Sequence, residues 1–111
     1  MRLLLVASLA WALGGGFAAH AADPRCASPV DLFQPNRGVI SNAKIAKAIA
    51  LTYLIPIYGE ATVRHEMPFT AALNNEVWTV NGTLPPGWIG GTAQILLCQR
   101  NGMVLSIIHF K

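Results

Sequence analysis

The sequence predicts an α+β fold: one N-terminal helix packed on a curved antiparallel sheet of about four strands. Three observations carry this. A long apolar segment, NAKIAKAIALTYL, follows a residue suited to capping a helix. Short runs with alternating polarity come after it, separated by Asn, Gly and Pro. Asn101-Gly102, between two apolar runs, is a strong two-residue hairpin signal.

The chain opens with Met1-Arg2, an apolar run from Leu3 to Leu13, three glycines and Ala19-His20-Ala21. A basic start, an apolar stretch and small residues at a cleavage site form a secretory signal peptide. A membrane anchor is the competing reading, but a span needs about 20 apolar residues and this run is much shorter. Cleavage near Ala21 is expected, with a periplasmic or secreted mature protein and no membrane span after cleavage. The organisation is then 1-21 signal peptide, 22-40 irregular arm and 41-111 single domain. The arm carries Pro24, Pro29, Pro35 and Gly38, which exclude a helix or a central strand.

Ser41 reads as the helix N-cap, with Ile40 and Ile45 as a hydrophobic staple. The helix is expected to run to about Leu54 and to stop or kink at Pro56, with Gly59 closing the segment. So few of its residues are polar that it should be mostly covered, with a wet strip near Lys44 and Lys47. Strand-like runs follow at Ala61 to Glu66, Phe69 to Leu73, Glu76 to Thr83, Gly91 or Thr92 to Arg100, and Met103 to Phe110. Period-two counting puts Trp78, Val80, Ile95, Leu97, Leu105, Ile107 and His109 on the helix side.

Leu96, Cys98, Ile108 and Phe110 then point away from the helix, so the second face of the last hairpin is apolar too. A sheet with one face on its core normally wets the other, so something should cover it. Both cysteines, Cys26 and Cys98, survive cleavage, and export favours disulfides. One bond is the natural pairing, with two buried free thiols the other possibility. A Cys26–Cys98 bond would draw the arm over the outer face; a homodimer interface is the competing cover, so monomer and homodimer both stay open.

The formal net charge is +3, and losing Arg2 with the signal peptide leaves about +2, spread without a basic run. That excludes the electrostatic footprint of a nucleic-acid binder.

Distinctive words recur along the mature chain: Ile55-Pro56-Ile57-Tyr58-Gly59-Glu60, Pro68-Phe69, Val77-Trp78, Gly82-Thr83-Leu84-Pro85, Gly87-Trp88, Gly90-Gly91, Asn101-Gly102 and His109. Together they resemble the bacterial family of nuclear-transport-factor-2-fold immunity proteins of polymorphic toxin systems. The resemblance covers nearly the whole chain after the arm. It implies a small cone-shaped, nuclear transport factor 2-like α+β domain that neutralises a protein toxin by protein–protein contact. It carries over no functional residues and no cofactor.

The long connection NGTLPPGWIGGTAQI asks for a purpose, since a plain hairpin needs only two to five loop residues. Pro85-Pro86-Gly87 fixes a turn, and Gly90-Gly91 lets backbone pass close to another element. Trp88 is either a lid packed over the core or an exposed anchor for a partner, and the lid is the preferred reading. Asn81-Gly82-Thr83 matches a glycosylation triplet but reads better as a strand end.

Acid–base candidates are His65, Glu66, Tyr53, Tyr58 and His109, with His109 at the open end of the cone. No paired-carboxylate spacing or Ser-His-Asp order stands out, and a lone inward His is more often a hydrogen-bonded core residue. No catalytic residue is assigned, and an enzyme is not expected. Cys26, Cys98, His65 and His109 include no local metal-ligand spacing, and the glycines of 82–91 lack a phosphate-loop pattern. Neither a metal nor a cofactor is expected. Trp88, Tyr58 and His109 are the candidate partner or pocket rim. The expected function is an exported, non-catalytic immunity protein. The alternative is a small periplasmic ligand-binding or isomerase/dehydratase-like domain, and an open pocket around His109 would favour it.

Overall fold

The computed structural model describes residues 23–27 and 37–111. The expected signal peptide, residues 1–21, and most of the expected arm lie outside the described residues. After a short 3-10 turn at Pro24–Cys26, the order is α1 (Ala43–Tyr58), α2 (Glu60–His65), β1 (Thr70–Asn74), β2 (Val77–Asn81), β3 (Ala93–Cys98) and β4 (Val104–His109). The four strands form one antiparallel meander in the order β1-β2-β3-β4, with α1 packed on one face.

Helix α1 starts one residue later than expected. Asn42, not Ser41, is the cap, and its side chain accepts from Ile45 N at 3.0 Å. The helix also runs through Pro56. Proline withholds the N–H that Thr52 O would accept, but Thr52 and Pro56 lie on the exposed side, where water serves that carbonyl. The last turn closes normally, Gly59 N donating to Ile55 O at 2.8 Å. The inward stripe is Ala46, Ala50 and Leu54, each buried and four residues apart. The small alanines let the helix lie close to the sheet. The wet face is broader than the lysine strip, since Tyr53 and Ile57 are also exposed.

Residues Ala61 to Glu66 are not a strand. Gly59, at φ 88°, breaks α1, and Glu60–His65 forms α2. Val63 is its single buried residue, and Arg64 and Glu60 pair one turn apart at 2.6 Å. The fold therefore has a second, short helix, which ends on Glu66.

The strands fall where alternation puts them, β1 shifted by one residue to end at Asn74 and the other three trimmed at their ends. Trp78, Val80, Ala93, Ile95 and Leu97 join the α1 and α2 residues in the main core. Asn75 and Glu76, with φ of 48° and 64°, make the tight turn between β1 and β2. The β3–β4 turn is longer than a two-residue hairpin. Gly102 N donates to Cys98 O at 2.9 Å and Cys98 N to Met103 O at 2.8 Å.

A register irregularity between Leu96 and Leu97 sets one further correction. Leu97 pairs with Val104 but Leu96 pairs with Ser106, so Leu105 has no opposite number. Val104 and Ile107 pack on the main core, whereas Leu105 turns to the other face. A bulge adds one residue, and period-two counting across it fails.

On the outer face Cys26 and Cys98 are bonded, with Cα atoms 5.6 Å apart. They form a second small core with Val77, against which Leu96 and Leu105 pack. Asn101 Nδ2 donates to Cys26 O at 3.1 Å, fixing the same short segment to the β3–β4 turn. The Arg25 guanidinium, hydrogen-bonded to Asp23, holds that carboxyl below its usual range. Farther along, the outer face carries Thr79, Asn81 and Gln94, as alternation from Trp78 and Ile95 puts them, with a Gln94–Asn81 hydrogen bond of 3.0 Å.

Candidate functional site

The residues after β2 begin as a continuation of its pairing, Gly82 N donating to Ala93 O at 3.0 Å. The chain then leaves the sheet. Trp88 N donates to Pro85 O at 3.1 Å, with Pro86 second and Gly87 third in the turn. Gly87 has φ 80°, the value a type II turn needs at that position. Proline is preset for the position before it, so this turn is stiff. The loop returns at Gly91, where a β-carbon would come within 2.5 Å of the Phe110 backbone. The long connection is thus a rigid projection, pinned at both feet.

Trp88 and Ile89 stand at its tip. Trp88 is 59% exposed and Ile89 fully exposed. This overturns the expected lid: the core is closed without Trp88, by Leu54, Val63, Val80 and Ile95, all fully buried. The His65 ring lies beside the indole, with ring centroids 5.7 Å apart. Trp88→Ala should therefore leave stability within about 0.5 kcal/mol of wild type in denaturant melts.

Beneath the projection lies an open cavity of about 400 Å³. Helix α2 contributes Thr62 and His65, and Glu66 follows it; the loop contributes Leu84, Pro85, Trp88 and Ile89; the end of β4 contributes His109, Phe110 and Lys111. Of the three rim candidates, Trp88 and His109 line this cavity. Tyr58 does not, but packs on the ring of His109 with centroids 5.2 Å apart. Ile89 is a prominent residue that sequence reasoning passed over. Its signal was available: a bulky aliphatic between Trp88 and Gly90-Gly91 has no strand or helix neighbour to cover it.

The polar floor is Glu66, 5% exposed, and His109. Glu66 Oε1 accepts from Ala93 N at 2.6 Å, and Oε2 lies 3.2 Å from His109 Nε2. His109 Nδ1 lies 2.8 Å from Phe110 O. A carbonyl only accepts, so Nδ1 carries a proton and donates. The Nε2–Oε2 contact then holds one proton as well, as imidazolium with carboxylate or imidazole with carboxylic acid. Glu66 also receives Thr83 N on its backbone oxygen at 2.6 Å. This one residue joins the end of α2 to the start of the loop, the start of β3 and the end of β4.

Both oxygens of Glu66 and both nitrogens of His109 are therefore engaged within the protein. The carboxylate and the imidazole are thus committed to each other and to backbone groups, an arrangement that serves structure rather than a general base aimed at a substrate. Tyr53 lies outside the cavity lining. A structural role for the pair makes its own forecast. In Glu66→Gln the amide oxygen still accepts from Ala93 N and the amide nitrogen donates to neutral His109. Thermal or denaturant melts should place it within about 1 kcal/mol of wild type. Glu66→Ala leaves the buried Ala93 N–H unpaired and should lose about 2–3 kcal/mol.

Residues 45–111 match the model of a family described as NTF2 fold immunity protein. The match spans more than half of the chain and takes in both helices' inward residues, the whole sheet and the projecting loop. No curated protein and no solved structure matches the chain.

Proposed function

Since the chain belongs to the NTF2 fold immunity protein family, we propose that it is an exported, non-catalytic immunity protein that neutralises a toxin by direct protein–protein contact. The observation that carries the mode of action is the Trp88–Ile89 tip. Two large apolar side chains stand in solvent on a turn stiffened by Pro85, Pro86 and Gly87. Rigid apolar anchors of this kind concentrate binding energy, because little entropy is lost when they dock. The absence of catalysis is supported by the floor of the cavity, where the acid–base pair is turned on itself. Export is supported by the signal-like residues 1–21, and the Cys26–Cys98 bond suits an oxidising compartment.

Protection is the test. The full-length chain is co-expressed with candidate toxins directed to the periplasm, and growth is followed. Wild type should restore growth. A version lacking residues 1–21 should not. Trp88→Ala combined with Ile89→Asp should melt as wild type does yet bind the toxin at least about tenfold more weakly. Full protection by that double variant would refute the proposed contact.

A second reading rests on the cavity being open rather than filled. About 400 Å³ is within the range of small-molecule sites, so a small exported ligand-binding domain fits the same geometry.

A further inference from the structure

The projecting loop is held from one residue. Its first foot is Thr83, whose N–H donates to the Glu66 carbonyl at 2.6 Å. Its second foot is Ala93, whose N–H donates to Glu66 Oε1 at 2.6 Å. Beside them Gly82 lies against the same side chain, where a β-carbon would stand 2.9 Å from Glu66 Cβ and 3.0 Å from Oε1. A third support is indirect. Glu66 Oε2 meets His109 Nε2 at 3.2 Å, and the next residue, Phe110, receives the close approach of Gly91 and donates its N–H to Thr92 O at 3.1 Å. Glu66 itself is 5% exposed and caps the end of α2. The tip has little of its own to fix it. From residue 84 to residue 91 the one backbone–backbone hydrogen bond among the described residues runs from Trp88 N to Pro85 O. A β-carbon at Gly87 or Gly90 would meet nothing within 4 Å. The turn is stiff in itself, but its direction is inherited from the feet.

We infer that Glu66 is a positioning residue of the toxin-binding surface: too buried to touch a partner, it aims the Trp88–Ile89 tip by holding both feet of the loop. The inference rests on the immunity reading. Anchors bind tightly when they are ordered before contact, because a loose loop must be ordered at the moment of docking. Removing the carboxylate frees Ala93 N and with it the second foot. Thr83 stays on the backbone carbonyl of residue 66, which any side chain leaves in place. The loop then swings from one foot, and affinity falls although neither anchor has changed.

Two measurements test this. The first needs no toxin: backbone order parameters from nitrogen-15 relaxation, on protein purified from the periplasm. Wild type and Glu66→Gln should hold residues 87–91 near the value of about 0.85 that marks rigid backbone, and Glu66→Ala should drop them below about 0.6. Glu66→Asp, too short to reach Ala93 N, should loosen them as well, and it takes the place of Glu66→Ala if that variant does not fold. Trp78→Phe, destabilised from the core, should leave the tip as ordered as in wild type, which separates aim from general stability. The second measurement is affinity for a toxin against which wild type protects. Glu66→Ala and Glu66→Asp should bind at least about tenfold more weakly, and Glu66→Gln within about twofold of wild type. A tip that keeps wild-type order without the long carboxylate overturns the inference. So does a tip loosened equally by Trp78→Phe, or a loosened tip with unchanged toxin affinity. The immunity reading fails separately, through full protection by Trp88→Ala/Ile89→Asp, a result on which the order parameters do not depend.

Discussion

Replacing both Cys26 and Cys98 by Ala should lower stability by about 4 kcal/mol. The bond spans 72 residues, and a crosslink across a loop of that length removes much of the unfolded chain's freedom. Packing acts in the same direction. Cys26 is 2% exposed and Cys98 fully buried, and with Val77 they form the small core on the outer face. Without the bond, the short 3-10 turn is held mainly by Asn101 Nδ2 on Cys26 O. A small domain commonly has only about 5–15 kcal/mol of stability in all, so this one bond is a large share. Denaturant melts without reductant, wild type against the double variant, measure it. The double variant avoids the stray thiol a single change would leave. A difference under about 1 kcal/mol would show that the arm docks without the bond.

The second large effect is expected at Trp78. Its ring is 6% exposed in the main core, on the face shared with Leu97, its partner in the register. Its Nε1 donates to Ile40 O at 2.9 Å, in a buried position. Trp78→Ala should lose about 3–5 kcal/mol, as large aromatic truncations in cores do. Trp78→Phe separates the two contributions. It keeps an aromatic body but leaves the Ile40 carbonyl without its donor, and should lose about 1–3 kcal/mol. Ile40 N is bonded to Gln99 O, so Trp78 clamps the segment leading into α1 against the sheet from the other side. If Trp78→Phe melts with wild type, the clamp contributes nothing. Trp88→Ala, ten residues along, is the internal contrast: a Trp of the same size, expected to be nearly neutral because more than half of it already meets solvent.

The sheet was legible because one-sided burial writes itself as alternation. Trp78 and Val80 face the helix, as do Ile95 and Leu97, and their neighbours face away. What alternation cannot see is a shift in its own phase, and the bulge at Leu96/Leu97 moved Leu105 to the opposite face without any glycine or proline to announce it. Helix α2 was misread because Thr62 and Val63 favour strands in isolation. Tertiary context decided otherwise: Gly59 ends α1, and only one residue of the segment, Val63, has to be buried. Pro56 reads as a stop or kink because proline disfavours helical geometry at the residue before it; Ile55 stays helical here, and the bond lost at Pro56 falls on the exposed side. Glu66 and His109 were visible as acid–base candidates. Their mutual engagement was not, because it depends on where α2 ends relative to β4. The exposure of Trp88 was hidden for a related reason. Whether a tip packs inward is decided by whether the core beneath it is already full.

The bond between Cys26 and Cys98 has a topological consequence. It closes the backbone from residue 26 to residue 98 into a covalent ring, and β4 hangs outside that ring as a tail. The projecting loop lies within the ring. A protease that nicks the backbone beside Trp88 therefore severs the chain without releasing either part. The two pieces stay joined through sulfur, with the helices and β2 on one side of the cut and β3 and β4 on the other. Under non-reducing electrophoresis such a molecule migrates as one species, and only a reductant resolves it into two.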